Sequence, residues 1–180
     1  MPIMSRFLDF SPLWILTLTG LIFSLALWGC EDTEDSGNTN AATVDDWLTV
    51  EIDGKSIEIQ IAFKEHELSK GLMYRSSMGE NRGMLFYYDP PKQMSFWMQN
   101  TKIPLDIGYF TSDGVLREVY PMYPMDLRSV KSKRDDLLMA LEMNQGWYAK
   151  NEVRPGDAID LVSLKAALQR RGVPESRIPF

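Results

Sequence analysis

Five polar side chains lie inside otherwise apolar motifs of this chain, and they are the residues best suited to chemistry. They are Arg75, Asn100, Thr101, Asp106 and Glu142. Three aromatic residues accompany them in the same motifs, namely Tyr74, Trp97 and Tyr109. Aromatic faces beside planar polar groups are the surroundings that a saccharide or another small polar ligand needs. The sequence therefore predicts a cleft in which these side chains meet a small ligand.

The same residues support two other interpretations, which the sequence leaves open. Burying a charge is costly unless it is paired, so Arg75 could form an internal ion pair with Asp106 or Glu142. Asn100 and Thr101 would then satisfy backbone groups at a corner between two strands. In that case the protein is a structural or interaction protein, and Asp106→Ala unfolds it. Alternatively, Asp106 and Glu142 serve as the acid and base of a hydrolase.

The counts of metal-binding and nucleophilic residues exclude several functions. Cys30 is the only cysteine and His66 the only histidine, so an internal disulfide and a Cys/His metal site are both excluded. His66 lies in a charged segment typical of an exposed helix. Thioethers bind Cu(I), and Met122 and Met125 form a candidate pair, but most methionines from 73 to 143 lie in apolar motifs as ordinary core residues. We predict no cofactor and no metal.

The excess of acidic over basic residues is confined to one segment of the chain. Residues 31–46 carry six acidic side chains and no basic one, whereas 18 acidic and 18 basic residues follow from residue 47 onward. The predicted domain is therefore neutral, without the basic field that nucleic-acid binding requires.

Residues 1–30 have the features of an export signal. A weakly basic start precedes an apolar run that ends in Leu-Trp-Gly-Cys, which resembles the box of bacterial lipoproteins with Cys30 as the lipid attachment site. An uncleaved membrane anchor is the alternative, since the run is long enough to span a bilayer. Residues 31–46 are predicted to be a disordered spacer. Glu31 after the cysteine favours the outer membrane if the cell is Gram-negative.

From residue 47 onward the pattern predicts a mainly β domain. Two alternating segments flank Asp53-Gly54, which indicates a hairpin, and a short helix is expected in KEHELSKGLMYR. Further strands are predicted in GMLFYY, MSFWMQN, LDIGYF, VLREVYPM, LLMALEM and AIDLV, with a helical turn in GWYAKNEV. Many short strands favour a β-sandwich, a jelly-roll-like fold or a partly open barrel with one or two short helices. The expected boundaries are 47–163 for the domain and 164–180 for a C-terminal extension.

Several motifs resemble the bacterial and archaeal family called domain of unknown function 192. They are GLMYR (71–75), GMLF (83–86), FWMQNTKIPLDIGYF (96–110), LEMNQG (141–146) and GDAIDLV (156–162). The resemblance covers about residues 48–163 and implies a compact, mostly β, often exported domain with no established activity. One departure is Leu68, because the family commonly has an arginine there, after the acid represented by Glu67.

These observations together predict an envelope-anchored module that binds a small polar ligand or an envelope protein. The ligand-binding candidates are Arg75, Trp97, Asn100, Thr101, Asp106, Tyr109 and Glu142. A structural lipoprotein without a ligand is the main alternative, and a carboxylate-based hydrolase or a methionine-based copper protein comes after it.

Overall fold

The computed structural model describes residues 41–180 of the chain. The predicted export segment 1–30, with Cys30, and residues 31–40 of the predicted spacer lie outside the described residues. Within the described part, no helix has the length and apolar character needed to cross a bilayer.

Eight strands in the described part confirm the prediction of a mainly β fold. They are β1 (Leu48–Ile52), β2 (Lys55–Ala62), β3 (Arg82–Lys92), β4 (Ser95–Phe96), β5 (Leu105–Thr111), β6 (Leu116–Met122), β7 (Val130–Lys131) and β8 (Leu137–Asn144). Six of them form one mixed sheet in the order β1-β2-β3-β8-β5-β6, and β4 pairs with β7 in a small second sheet. The predicted hairpin is β1–β2. Strands β2 and β3 run parallel, which requires a crossover connection, and a short helix lies in that connection.

Residues 41–180 contain three short α-helices, where one or two were expected. They are α1 (Glu65–Lys70), α2 (Trp147–Lys150) and α3 (Leu161–Arg170), and a single 3-10 turn follows at Glu175–Arg177. Helix α3 begins inside the predicted last strand. Its start is fixed by Asp160, whose side chain accepts a hydrogen bond of 2.7 Å from the backbone N–H of Ser163. Ala158 and Ile159 form only isolated bridges.

The predicted strand through MSFWMQN is much shorter than expected. Only Ser95–Phe96 pairs with another strand, and residues 97–104 form a loop. The backbone N–H of Met98 donates to the carbonyl of Asp126 at 2.9 Å, and Asn100 adopts a left-handed φ of 56° that turns the chain. Local sequence favoured a strand here, but contacts with a distant loop give a different conformation.

The six-stranded sheet has apolar side chains on both faces. We call one the helix face, because its buried side chains, such as Val50, Ile59 and Leu141, pack against α2 and α3. We call the other the loop face, since it is covered by long loops and by α1. Alternation along each strand sends successive side chains to opposite faces. The face on which a polar residue lies therefore determines which groups it can reach.

Both ends of the described part pack on the domain, which differs from the predicted boundaries. The backbone N–H of Ala42 donates to the carbonyl of Arg170 at 2.8 Å, and the side-chain amide of Gln60 donates to the carbonyl of Asp45 at 3.0 Å. Leu168 and Ile178 are buried in the helix-face core. Residues 41–46 thus belong with the domain and not with a spacer, and residues 164–180 complete its core.

A buried ion pair joins the C-terminal segment to the start of α1. The guanidinium of Arg171 donates to the Glu67 carboxylate and, at 3.0 Å each, to the carbonyls of Ile61 and Ala42. Burial raises the pKa of Glu67, but backbone hydrogen bonds from residues 63 and 64 and the charge of Arg171 outweigh it and lower that pKa. Leu68 stands where the family resemblance implies an arginine, and the charge partner of Glu67 in this chain is Arg171 from the C-terminal segment.

We predict that Arg171→Met lowers the free energy of unfolding by about 3–5 kcal/mol, because it leaves the Glu67 carboxylate buried and unpaired. Denaturant unfolding of the full-length chain measures the change. Combining Arg171→Met with Glu67→Gln should recover part of the loss, since no buried charge remains. Equal losses in the single and double variants would contradict this account.

Candidate functional site

The centre of the loop face carries a row of side chains that the strand register brings together. Gln60 on β2 pairs with Met84 on β3, and Met84 pairs with Glu142 on β8. On its other side, Glu142 pairs with Ile107 on β5. Paired residues on neighbouring strands share a face. Because neighbouring strands lie about 4.8 Å apart, the Cα atoms of Gln60 and Glu142, two strands apart, are separated by roughly 10 Å along this row.

Three loops that are hydrogen-bonded to one another cover this row. The backbone N–H of Tyr74 donates to the carbonyl of Asn100 at 2.8 Å, and that of Met125 donates to the carbonyl of Thr101 at 3.0 Å. Tyr74, Asn100 and Met125 all have left-handed backbones, with φ of 65°, 56° and 61°. Such strained residues persist where the surroundings hold them, and they are concentrated at functional sites.

The rim of these loops exposes a group of large apolar side chains. They are Tyr74, Trp97, Tyr123, Met125 and Leu127, each at least half exposed. The side-chain amide of Asn100 donates to the hydroxyl of Tyr74 at 3.0 Å, so the tyrosine is oriented by a neighbour. Exposed apolar groups gathered in this way mark ligand-binding or protein-binding surfaces.

A cleft of about 580 Å³ opens between α1, the first of these loops and the loop face. It is lined by Val44, Asp45, Gln60, His66, Glu67, Lys70, Gly71, Met73, Tyr74, Arg75 and Met84. Its volume is in the range of small-molecule sites. Of the predicted ligand-binding residues, this cleft contains Arg75.

Arg75 is the principal charged group of the cleft. Its guanidinium donates to the side-chain carbonyl of Gln60 at 2.6 Å and lies 5.5 Å from the ring centre of Trp47. Among residues 41–180 no carboxylate forms an ion pair with it. Burial lowers the pKa of Arg75, and the negative charge of Asp45 opposes that shift. The guanidinium stays protonated, so a partly buried cation without a paired anion lines the cleft.

A second, smaller pocket of about 40 Å³ lies over Glu142. It is lined by Leu68, Ser69, Lys70, Gly71, Leu72, Met73, Phe86, Phe96, Trp97, Thr101 and Glu142. Trp97, Thr101 and Glu142, three of the predicted candidates, therefore come together here. Thr101 is buried, and its hydroxyl donates to the carbonyl of Gln99 at 3.3 Å. The segment from Lys70 to Met73 borders both this pocket and the larger cleft.

Glu142 is a buried carboxyl without a hydrogen-bonding partner in the described part of the chain. Only 4% of the residue is exposed, and no side chain or backbone group of residues 41–180 bonds to its carboxyl. Burial raises the pKa of Glu142 to about 8. The group is therefore largely protonated at neutral pH, and its free hydrogen-bonding capacity is available to whatever enters the pocket.

Asp106 lies on the opposite face of the sheet from Glu142, which corrects two predictions. Its carboxylate accepts a hydrogen bond of 2.7 Å from the backbone N–H of Gly146, at the start of α2. Burial raises the pKa of Asp106, and the Gly146 hydrogen bond opposes that shift. The predicted ion pair with Arg75 is absent, and Asp106 cannot share a catalytic site with Glu142. The basis for expecting Asp106→Ala to unfold the protein by leaving Arg75 unpaired is therefore wrong.

Two other predicted contributions are also absent from the cleft. Tyr109 is fully buried, and its hydroxyl donates to the carbonyl of Val130 at 3.0 Å, so it supports the core. Burial, reinforced by the charge of Glu142, raises the pKa of Tyr109. Met122 is buried whereas Met125 is exposed, so the two thioethers do not form a matched pair. Within residues 41–180, no three His, Cys, Asp or Glu side chains are grouped to hold a metal ion.

Sequence reasoning missed several residues that line the site. Gln60 follows the exposed Ser56 and Glu58 on the same side of β2, so its pattern is that of a solvent-facing residue. Asp45 lies in the segment predicted to be a spacer, and Lys70 in the polar part of a helix. Only the packing of the loops over β2 makes these residues part of a cleft.

The described residues thus define a mainly β domain with a ligand-sized cleft over one face of its sheet. The chain belongs to the domain of unknown function 192 family, whose model, described as "Uncharacterized ACR", matches residues 48–161.

Two crystal structures are similar to this chain. One is a protein of unknown function from Novosphingobium aromaticivorans DSM 12444, with 31% identity and a TM-score of 0.60 over 63% of this chain and 84% of that one. The other is described as a candidate transcription regulator from Sinorhizobium meliloti 1021, with 27% identity and a TM-score of 0.59 over 63% of this chain and 91% of that one. No curated protein is significantly similar to the chain.

We predict that Glu142 makes the protein less stable as the pH rises. Its pKa increases from about 4.5 when unfolded to about 8 when folded, so the folded state binds the extra proton between these values. Within that window the Glu142 contribution to the free energy of unfolding falls by roughly 1.4 kcal/mol per pH unit. Denaturant unfolding at pH 5, 6, 7 and 8 should show this extra slope in the natural chain and not in Glu142→Gln. Parallel stability curves for the two proteins would refute it.

Proposed function

We propose that this protein is an envelope-anchored binding module whose cleft takes a small polar ligand with an acidic group. The observation that carries the proposal is Arg75, a partly buried guanidinium that lines the cleft, bonds only to the neutral Gln60 and has no ion-pair partner among residues 41–180. A guanidinium presents a planar array of donors that matches a carboxylate, phosphate or sulfate.

The other charges of the cleft support an acidic ligand. Lys70 adds a second cation to the wall, whereas Glu67 is already neutralised by Arg171. Asp45 is the remaining acid, and it acts on Arg75 through space without a hydrogen bond. A ligand anion would therefore meet two cations and one free carboxylate.

The remaining surface of the cleft suits an uncharged ligand body. Tyr74 exposes its ring at the rim, and Met73 and Met84 provide apolar contacts further inside. Aromatic rings pack on the faces of sugars and other compact polar molecules. An acidic saccharide fragment or an organic phosphate has the matching combination of features. The similarity to the candidate regulator from Sinorhizobium does not favour DNA as the ligand. Residues 47–180 carry no net charge with which to attract DNA.

A ligand screen by thermal shift tests this function on the full-length chain. The panel includes acidic sugars, cell-wall fragments, nucleotides, organic phosphates and Cu(I). A ligand at about 100 times its dissociation constant adds roughly 2.7 kcal/mol, which raises Tm by several degrees. We expect an acidic hit that Arg75→Gln abolishes.

Arg82→Gln is the matched control for this screen. Arg82 also lies over the Trp47 ring, at 4.5 Å, but it is paired with Glu58 and does not line the cleft. The control variant should retain the hit. A hit that survives Arg75→Gln, or that binds equally well once its acidic group is esterified, would overturn the proposed ligand class.

The exposed apolar rim favours an envelope protein as a second candidate partner. Tyr123 and Leu127 lie on the loops around the cleft but do not line it. A panel that stabilises neither the natural chain nor the Arg82→Gln control would contradict the small-ligand function and favour this candidate.

The location of the protein rests on the N-terminal motif. We propose that Cys30 is lipidated and that the domain is held at the outside of the cytoplasmic membrane or at the outer membrane. Cells fed a labelled fatty acid should incorporate it into the natural chain and not into Cys30→Ala. Equal labelling of both, or none in either, would contradict lipid attachment.

A further inference from the structure

We propose that the small pocket over Glu142 is a second binding site, independent of the Arg75 cleft, which takes the ammonium end of a primary amine with Glu142 as its counter-ion. The pocket is lined by the carboxyl of a residue that is 96% buried and has no hydrogen-bonding partner in the described part of the chain. Its oxygens face the pocket and bond to no group of residues 41–180, so they are free to accept hydrogen bonds from a bound donor.

The size of the pocket limits what can enter it. A water molecule needs roughly 10–15 Å³ of such volume, so about 40 Å³ holds a group of only two or three heavy atoms. A sugar ring or a nucleobase is too large, whereas an ammonium with one methylene fits. The half-exposed Trp97 and the exposed Ser69 lie at its outer edge, so the rest of a ligand could extend towards solvent.

The walls of the pocket favour a cation over a neutral donor. Phe86 and Phe96 meet edge to face with centroids 4.9 Å apart, and Trp97 completes an aromatic surround. Cations are attracted to the faces of aromatic rings, and an aromatic surround with a carboxylate is a common arrangement for binding ammonium groups. The neighbouring Met73 is polarizable and carries no competing charge.

No cation of the described residues already neutralises Glu142. Lys70 lines the pocket, but it is exposed and forms no ion pair with Glu142. The other titratable groups that feel this carboxyl are the phenols of Tyr88 and Tyr109, and that of Tyr148 from across the sheet. All three are uncharged at neutral pH, so Lys70 is the one cation of residues 41–180 that lines the pocket, and it leaves the carboxyl unpaired.

Methylammonium is the probe for this site. Its binding to the full-length chain can be followed by ligand-observed saturation-transfer NMR at pH 6, 7 and 8, where the probe stays protonated. Since binding requires the ionised carboxylate, the affinity should rise nearly tenfold from pH 6 to pH 7. Tetramethylammonium, which has the same charge but exceeds the pocket, should not bind.

Two variants separate this site from nonspecific attraction. Glu142→Gln keeps the shape and removes the charge, so it should reduce methylammonium affinity at pH 8 by at least tenfold. Asp106→Asn removes a buried carboxylate from the opposite face of the sheet, and it should leave that affinity unchanged.

Other outcomes would overturn the proposal. They are equal binding to Glu142→Gln, equal binding of tetramethylammonium, an affinity that does not rise with pH, or no binding of methylammonium at any pH. The pH and size comparisons use only the natural chain, so they remain decisive if a variant fails to fold. Because Arg75 is not part of this pocket, Arg75→Gln should bind methylammonium normally, and failure here leaves the acidic-ligand function of the cleft untouched.

Discussion

Strand alternation is the constraint on which the site depends. Strands β5 and β8 are neighbours in the sheet, and each sends successive side chains to opposite faces. Asp106 pairs with Met143 and turns to the helix face, whereas Glu142 pairs with Ile107 and turns to the loop face. A shift of one residue in this register would place the two carboxyls on the same face. The separation of the two acids is therefore a property of the whole sheet and cannot be altered by a local change.

The two carboxyls have different roles because their surroundings differ. Asp106 has a backbone N–H to accept from, at the start of α2, and so helps to fix the chain after β8. Glu142 has apolar neighbours and a pocket above it. A lone carboxyl in the middle of a sheet, beneath loops with three left-handed residues, is a costly arrangement for a purely structural domain. Natural proteins tolerate such costs mainly at functional sites.

The sequence predicted local structure well where local chemistry decides it. The Asp53-Gly54 turn and the alternation around it specified the first hairpin, with φ of 48° and 70° at the turn. Polar residues in apolar motifs are unusual, and this signal singled out Thr101 and Glu142, which line one pocket with Trp97. The predicted ion pair between Arg75 and Asp106 was wrong because it depends on the strand register, which no local sequence pattern specifies. The Arg171–Glu67 pair joins residues 104 positions apart and was equally out of reach.

Two chemically distinct cavities therefore share the loop face of one sheet. The larger presents a guanidinium and the smaller a carboxyl, and neither is paired with an oppositely charged group of residues 41–180. The segment from Lys70 to Met73 forms part of the wall of both. The rigid sheet below and the hydrogen-bonded loops above keep both groups in place before any ligand arrives.

Glu142 is a buried carboxyl that bonds to no group of residues 41–180, and its own titration tests this most directly. In the full-length chain labelled with ¹³C at glutamate side-chain carboxyls, the resonance lost in Glu142→Gln identifies the residue. We predict that this resonance titrates near pH 8. A midpoint near the ordinary value of 4.5 would mean that the carboxyl is solvated or paired, and it would contradict the account.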